Sequence, residues 1–371
     1  MCEIVEIENQ KLLNDFKQFI SSITKQDNIA LMYDTDPDGL SASVLVQKSL
    51  SKLNLNKPLL ISKHKYGRNI PDEMIQELKQ NKINYFIAVD LPFESYPNIE
   101  KLSSLDILVM DHHPVTNLNV PKNILVIKPQ FFQTKLEPSR VCAANVVYTF
   151  FSEIIDLKKY DWISAIGMIA DITYKEKENQ IFIDDVLKKN HVEIKPNPFD
   201  TEFGQFVNYV AYADSFESKD ELIYAQNALL SSNNYQEAEK KLERFKIVED
   251  EINSYVDNFP KNAEKINNIY FYDMTPNNFI GSIIATRASM RKAYNNILVV
   301  IENKNNMLNV SVRCQDKSYD MGRMMNEVTT HLTSASGGGH IPAAGGKVQI
   351  QDKDKFKKLV VDWVKNNGDL N

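Results

Sequence analysis

Short apolar runs recur through the first third of the chain, and each run ends at polar residues. The runs are four to six residues long and rich in Ile, Val and Leu, at residues 28–33, 58–62, 85–89, 107–110 and 124–127. Continuous apolar strands of this length are typical of a parallel sheet that is buried on both faces. Helical patterns separate the runs, so the alternation predicts a doubly wound α/β sheet.

The pattern changes twice in the rest of the chain. Residues from about 198 to 259 are mostly helical and end in a highly charged segment, which we expect to be a solvated connecting helix. From residue 269 onward, strands and helices alternate again, with a glycine-rich loop at residues 336–340. We therefore predict three parts, at residues 1–197, 198–260 and 261–371, of which the last is a smaller α/β domain.

Composition limits the class of protein. The 371 residues carry a net charge of −6, and 43% of them are apolar, which suits a globular protein with two cores. A protein that coats duplex DNA usually has a strong basic surplus, so we expect any contact with nucleic acid to be local. No apolar run approaches the ~20 residues of a membrane-spanning helix, and the acidic N-terminus does not resemble a secretory signal.

Cysteine usage indicates the redox compartment. Cys2, Cys142 and Cys314 lie far apart and form no CxxC pair. This spacing argues against a disulfide framework and against a zinc knuckle. We therefore expect a cytoplasmic protein.

Aspartates follow three of the predicted strands directly. Asp34, Asp90 and Asp111 each come immediately after an apolar run. In an open parallel sheet the ligand crevice lies beyond the carboxyl ends of the strands. These three side chains are therefore expected to meet at one site.

The first aspartate opens a motif at residues 34–39 (DTDPDG). Alternating acids before a glycine are typical of a loop that binds a hard cation, and the same string opens an EF-hand calcium loop. An EF-hand would need Glu at its twelfth position, where Leu45 stands, and a helix before the loop, where a strand is predicted. We therefore reject the EF-hand hypothesis.

Two further motifs add acids and imidazoles, residues 111–113 (DHH) and residues 167–171 (GMIAD). Carboxylates with imidazoles suit Mn²⁺ or Mg²⁺ better than Zn²⁺, which prefers Cys and His. The motifs supply five carboxylates, whose charge two divalent cations would largely offset: Asp34, Asp36, Asp38, Asp90 and Asp171. Without metal, such crowded carboxylates would repel one another. The sequence therefore predicts a two-metal site.

In this order, the motifs over residues 28–175 resemble the motif set of the DHH phosphoesterases. Residues 336–340 (SGGGH), with residues 343–346 (AAGG), resemble the GGGH motif of the DHH-associated domain of RecJ-like exonucleases. The whole chain resembles the short RecJ-like nucleases of archaea. The resemblance implies a DHH catalytic domain at 1–197, joined by the helical connector to a substrate-binding DHH-associated domain at 261–371.

The resemblance also implies roles for the acidic and imidazole groups. Asp90 would bridge two manganese ions, His113 would face the scissile phosphate, and Asp111 would orient the imidazoles. The implied metal ligands are Asp34, Asp36, Asp38, Asp90, His112 and Asp171. Asp34 stands where relatives have His or Asp.

Substrate contacts are implied in the second domain. Arg313 matches an arginine that grips a substrate phosphate in relatives, and its planar donors suit bidentate contact. His340 would act in the same way. Gly338 and Gly339 would let backbone N–H groups approach a phosphate closely.

The resemblance implies a hydrolase that releases mononucleotides from single-stranded DNA or RNA, 5′ to 3′, with two Mn²⁺ ions (or Mg²⁺) that activate water. A cleft between two domains would admit a flexible strand end more readily than a duplex. Replication or repair proteins are implied as further partners, and no membrane is.

Two alternatives stay open. One is a phosphodiesterase of very short oligonucleotides or cyclic dinucleotides, and the other is a replisome-associated scaffold subunit, which degraded acidic motifs would mark. Polyphosphate hydrolysis is disfavoured because those relatives carry a different second domain. The chain departs from the family at Lys128-Pro129, where Asn-Pro is expected, and we expect no OB-type domain like that of bacterial RecJ. Both departures leave the preferred substrate length open.

Overall fold

A computed structural model describes residues 5–115, 120–216, 219–304 and 307–367. The chain forms two compact units. The first comprises Met1–Asp214 with Ser218–Arg244, and the second comprises Ser215–Glu217 with Phe245–Asn371.

The first unit contains a five-stranded sheet. Its strands are β1 (Asn28–Tyr33), β2 (Leu59–Ser62), β3 (Ile83–Val89), β4 (Asp106–Met110) and β5 (Ile124–Ile127). All neighbouring pairs are parallel, in the order β2-β1-β3-β4-β5. The strands form at the predicted apolar runs, which confirms the α/β class. The strand order reverses between β1 and β3, the position at which doubly wound sheets bind ligands.

Helices cover both faces of this sheet. They are α1 (Gln10–Ser22), α2 (Pro37–Lys52), α3 (Lys63–Tyr66), α4 (Asp72–Gln80), α5 (Pro129–Phe132), α6 (Ala143–Ser152), α7 (Asp161–Ala170), α8 (Lys177–Lys189), α9 (Glu202–Tyr212), α10 (Lys219–Leu230) and α11 (Tyr235–Leu242). Helix α2 begins with a proline at its first position, where the missing N–H costs nothing. Most of α2 is buried against α6 and α7, which fixes the loop that precedes it.

Residues 198–260, for which the sequence predicts a connector, are divided between the two units. Phe203 and Phe206 of α9 are fully buried, and their rings pack against Tyr235 of α11 and, for Phe206, Trp162 of α7. Since each helix of this stretch has a buried apolar face, α9 to α11 belong to the first unit. The division at residues 244 and 245 places the remainder in the second.

The second unit contains a six-stranded mixed sheet. Its strands are β6 (Glu264–Ile266), β7 (Ile269–Met274), β8 (Ile297–Lys304), β9 (Met307–Cys314), β10 (Ser336–His340) and β11 (Ala343–Gln349). Their order is β10-β11-β9-β8-β7-β6, and of these pairs only β7 with β8 is parallel. The helices are α12 (Lys246–Asn258), α13 (Gly281–Lys292), α14 (Met321–Thr330) and α15 (Lys353–Asn366).

The glycine-rich segment at residues 336–340 is a strand, so the prediction of a loop there was wrong. Its backbone pairs antiparallel with β11. Glycine has a low strand propensity, which misled the prediction, but here α14 packs so closely that side chains would not fit. A Cβ on Gly337 would lie 2.9 Å from the Thr329 side chain and 3.0 Å from the backbone O of Met325.

Cys142 and Cys314 are free, buried thiols, while Cys2 lies outside the described residues. Among the described residues, no helix combines the length and apolarity that crossing a membrane requires.

Candidate metal centre

Aspartates from the ends of β1 and β3 lie close together at the carboxyl edge of the first sheet, with further acids and imidazoles, whereas Asp111 at the end of β4 belongs to none of the ligand groups. Each of three groups of side chains brings its ligand atoms to within 4.8 Å of one another. The groups are Asp34, Asp36 and Asp90; Asp38, His112 and Asp171; and Asp90, His112 and His113. The structure thus brings all six predicted metal ligands together, and Asp90 and His112 each belong to two groups.

Two aspartates of the turn after β1 are held by backbone N–H groups at the N-termini of helices. Asp36 accepts a hydrogen bond from the backbone N–H of Gly39 at 3.0 Å and caps α2. Asp38 is fully buried, and its two oxygens accept the N–H groups of Ala143 and Ala144 at 2.7 and 2.8 Å. These donors form the N-terminus of α6, whose positive dipole end favours a carboxylate.

Gly167 explains why the motif at residues 167–171 opens with glycine. A Cβ at this position would lie 2.2 Å from Oδ1 of Asp38 and 2.8 Å from the Cβ of Ala144. Only glycine lets α7 pass this close to the metal centre, and α7 in turn carries Asp171 at its C-terminal end.

Asp90 lies at the centre of the cluster in a strained backbone conformation. Its φ is +56°, which is uncommon for a residue other than glycine and is often found at functional sites. The side chain is buried, and Oδ1 has no hydrogen-bond partner among the described residues. Burial, followed by the negative charges of Asp38 and Asp36, raises the pKa of Asp90 well above its ordinary value.

His112 joins the carboxylates that come from different elements. Its Nε2 lies 3.3 Å from Asp90, 3.3 Å from Asp171 and 4.0 Å from Asp38. Its buried Nδ1 has no partner in the part of the chain that the structure describes. Burial, followed by the charges of Asp38, Asp36 and Asp34, raises the pKa of Asp171 to about 9.

These observations fit a site for divalent cations. The raised pKa values show that the cluster disfavours its own negative charge, and Oδ1 of Asp90 is a buried acceptor with no hydrogen-bond donor in the described part of the chain. Carboxylate oxygens with an imidazole nitrogen are donors that suit Mn²⁺ and Mg²⁺.

His113 lies beside the cluster and is held by Asp111. Its Nδ1 is 2.7 Å from Oδ1 of Asp111, and this hydrogen bond raises the pKa of His113. Although burial opposes it, the same bond and the charge of Lys128 lower the pKa of Asp111 to about 2. Asp111 therefore remains a carboxylate and keeps the ring of His113 in one orientation.

Two residues at the edge of the cluster were not predicted. Lys63 forms an ion pair with Asp34. Nε2 of His64 lies 3.0 Å from Oγ1 of Thr35 and 2.9 Å from Oδ1 of Asp214. Lys63 and His64 follow β2 directly, so the strand-end rule that identified the aspartates would have found them.

In the second unit, Arg313 lies in a neutral environment. Its guanidinium donates to Oγ1 of Thr286 at 3.1 Å and to Oγ of Ser282 at 2.9 Å, both on α13. Burial lowers the pKa of Arg313, and no acidic side chain in the described ranges pairs with it. A desolvated cation of this kind is suited to an anionic ligand.

His340 lies on the same face of the second sheet as Arg313. Ala343 of β11 is paired directly with Arg313 on one side and with His340 on the other. Directly paired residues of antiparallel strands point to the same face, and strands are spaced ~4.8 Å apart. The backbones of Arg313 and His340 are therefore roughly 10 Å apart. Gly338 and Gly339 precede His340 on β10.

Comparison with known families supports both units. Residues 28–182 match the DHH family, N-terminal domain, and residues 269–366 match the DHHA1 domain. No curated protein sequence matches the chain significantly.

Solved structures share the fold. An exonuclease RecJ bound to manganese is 14% identical, with a TM-score of 0.70 over 98% of this chain and 96% of that chain. RecJ from Thermus thermophilus in complex with Mn²⁺ is 15% identical, with a TM-score of 0.71 over 99% of this chain and 56% of that chain. CDC45 from Entamoeba histolytica is 10% identical, with a TM-score of 0.57 over 94% and 98% of the two chains.

Proposed function

Because this chain belongs to the DHH superfamily and has a RecJ-like fold, we propose that it hydrolyses phosphodiester bonds in single-stranded nucleic acid. The observation that carries the proposal is the convergence of carboxylates and an imidazole from distant stretches of the chain on one sheet edge. A cluster so unfavourable to its own charge stabilises the fold only when cations fill it.

We assign the cations to the predicted ligand set of Asp34, Asp36, Asp38, Asp90, His112 and Asp171. Asp90 would be shared by two ions, since its carboxylate has two oxygens and it belongs to two of the ligand groups, whereas His112 would offer Nε2 to one ion. When bound, two divalent cations activate water and stabilise the charge that builds on phosphoryl oxygens. We propose Mn²⁺ as the resident ion, with Mg²⁺ as a substitute.

Asp111 and His113 lie beside the cluster and would act on the scissile phosphate. Asp111 holds the Nδ1–H of His113, so Nε2 is the ring nitrogen left to face a substrate. We propose that His113 donates from Nε2 to a non-bridging oxygen of the scissile phosphate. A fixed donor aimed at developing negative charge stabilises the transition state more than the ground state.

The second unit supplies the contacts to the rest of the strand. Among the described residues, all partners of Arg313 are neutral, and its guanidinium suits a phosphate. His340 and the backbone N–H groups at Gly338 and Gly339 would contact further phosphates. Glycines there leave backbone unobstructed by side chains.

By resemblance, we propose stepwise release of mononucleotides from the 5′ end, and docking on replication or repair proteins as a further role. All acidic motifs are present and meet in space, which favours catalysis over a purely scaffolding subunit.

A time course with end-labelled substrates tests the activity. Long and short single-stranded DNA and RNA, together with cyclic dinucleotides, are incubated with Mn²⁺ or with EDTA. Laddered loss from the 5′ end of long strands, abolished by EDTA, is expected. Cleavage confined to two- to four-nucleotide substrates or cyclic dinucleotides would replace the exonuclease proposal by the phosphodiesterase alternative. Equal cleavage in EDTA would rule out metal-dependent hydrolysis.

A further inference from the structure

A lysine is buried directly behind the metal centre. Lys128 follows β5 and is fully buried. Its ammonium lies 2.6 Å from Oε1 of Glu94 and 2.9 Å from Oδ2 of Asp111. It also donates to the backbone O of His113 at 3.3 Å. Burying an ammonium costs several kcal/mol unless it is paired and hydrogen-bonded, and here its partners adjoin the predicted catalytic histidine.

Asp111 is held at both of its oxygens. Oδ2 pairs with Lys128, and Oδ1 accepts from Nδ1 of His113. The ion pair attracts Oδ2 towards the ammonium of Lys128 and so leaves Oδ1 for the imidazole of His113. The backbone of His113 is held from the same direction, because Gln130 also donates to its carbonyl at 3.4 Å.

Glu94 supplies a second negative charge beside the ammonium of Lys128. It lies in a 3-10 turn, Phe93–Ser95, that follows β3 and is itself buried. With Glu94 present, the charge of Lys128 is balanced independently of Asp111. Asp111 can therefore bond to His113 while Lys128 keeps a full counter-charge.

We propose that Lys128 is a positioning residue: by anchoring Asp111, it fixes the ring of His113 so that Nε2 faces the scissile phosphate. This inference rests on the proposed function, because it requires that His113 act on a phosphate. Lys128 stands where the DHH resemblance leads one to expect Asn.

A purely structural ion pair would have a different signature. Its removal would lower the stability of the fold but leave the orientation of His113 and the turnover rate of the folded protein unchanged. A positioning residue changes kcat while KM and metal binding stay nearly constant. The state of the His113 ring decides between the two.

The test compares Lys128→Met, the double variant Lys128→Met with Glu94→Gln, and Lys189→Met. The double variant removes the buried pair without leaving Glu94 unpaired, so it remains informative if the single variant fails to fold. Lys189→Met is the matched control, since that ammonium pairs with Asp161 and Asp185 and not with the metal cluster. Each full-length protein is loaded with Mg²⁺, and kcat, KM, bound Mg²⁺ and the ¹⁵N spectrum of the histidine rings are measured.

In the folded double variant, kcat is expected to fall about 10–100-fold, the usual cost of losing a partner of this kind. KM and bound Mg²⁺ should stay within about threefold of the wild type, and the ¹⁵N signal of His113 Nδ1 should lose its hydrogen-bonded position. The control should match the wild type in all four measurements.

Two results would overturn the positioning role. One is a folded double variant whose His113 resonances are unchanged, whatever its kcat, and the other is a shifted ring with kcat within twofold of the wild type. If the wild-type protein cleaves no substrate at all, the proposed function fails. The ¹⁵N spectrum still decides whether Lys128 controls the His113 ring.

Discussion

The two units hold charged groups in different surroundings. The first crowds carboxylates around Asp90, where burial and repulsion raise pKa values. In the second, the guanidinium of Arg313 donates to the hydroxyl groups of Thr286 and Ser282, and no acidic side chain among the residues described pairs with it. Under the proposed function, the carboxylates of the first unit would hold metal ions, and the guanidinium of the second would bind a phosphate.

The largest effect should come from breaking the first unit's charge cluster. Asp90→Ala is expected to lower the hydrolysis rate about 1,000-fold or more, because a metal's charge stabilisation is worth several kcal/mol and each ~1.4 kcal/mol is tenfold in rate. The variant should fold, since removing a carboxylate relieves repulsion in the metal-free protein. Single-turnover rates and circular dichroism measure the two effects.

Asp354→Asn is the control for that substitution, because it removes an exposed carboxylate from the first turn of α15. It should behave as the wild type. Full activity of well-folded Asp90→Ala would refute the bridging role of Asp90.

A smaller effect is expected from the cation of the second unit. Arg313→Ala should raise KM about 10–100-fold, because hydrogen bonds to charged groups contribute ~1.5–3 kcal/mol. Metal content should be unchanged, which would separate substrate grip from metal binding. Arg291→Ala, on the exposed end of α13, is the matched control and should leave KM unaltered. Loss of metal from Arg313→Ala would contradict the division between the units.

The acidic cluster should also be visible as a pH dependence of stability. In the metal-free protein, the pKa of Asp171 is raised to about 9. The pKa values of Asp90 and Asp36 are also raised above their ordinary values. Above about pH 4 the same carboxyl groups are ionised in the unfolded chain. In the folded chain they still bind protons, because their pKa values are raised. The free energy of unfolding therefore falls as pH rises from about 4 to about 9.

Thermal unfolding in EDTA and in Mn²⁺ tests this sign. The melting temperature in EDTA should fall by several degrees between pH 5.5 and 9, and the difference between Mn²⁺-loaded and metal-free protein should widen. Asp171→Asn should flatten the metal-free curve. Rising stability of the metal-free protein over this range would mean that the carboxylates do not repel one another.

The smallest effect is expected in the glycine strand. A Cβ on Gly338 would meet only the flexible end of Asn326, at 3.1 Å, so Gly338→Ala should fold. Its methyl group should obstruct the approach of a phosphate to one backbone N–H and so raise KM about fivefold, the equivalent of one hydrogen bond of ~1 kcal/mol. Gly339 has a φ of +152°, and a Cβ there would lie 2.5 Å from the backbone O of Ala343. Gly339→Ala should therefore destabilise the unit. Equal stability of the two variants, measured by denaturant unfolding, would contradict this account of the strand.

The predictable parts of the molecule are those fixed by local pattern. Apolar runs located the first sheet, and the rule that ligands bind at strand ends was enough to place Asp34 and Asp90 together. Asp111 instead contacts His113 and Lys128 and belongs to none of the ligand groups. Lys63 and His64 lie at the end of β2 as the aspartates lie at the ends of their strands. They were missed because a basic residue at a strand end, without acidic neighbours in sequence, does not form a motif that indicates a metal site.

Other features depend on which distant segments touch. The contact of Lys128 with Glu94 follows from the spatial order of β3, β4 and β5, which strand patterns alone do not give. Charges in the stretch before residue 260 masked a helical apolar face, and the low strand propensity of glycine concealed β10. In each case tertiary packing overrode the local signal.

The most direct test counts the cations. Protein stripped with EDTA, equilibrated with Mn²⁺ and passed through a desalting column should retain two ions per chain by elemental analysis. Asp90→Asn should retain one or fewer, and Arg313→Ala should retain two. A wild-type chain that hydrolyses its substrate yet retains no Mn²⁺ or Mg²⁺, under conditions in which the strand-end aspartates are ionised, would contradict the metal centre.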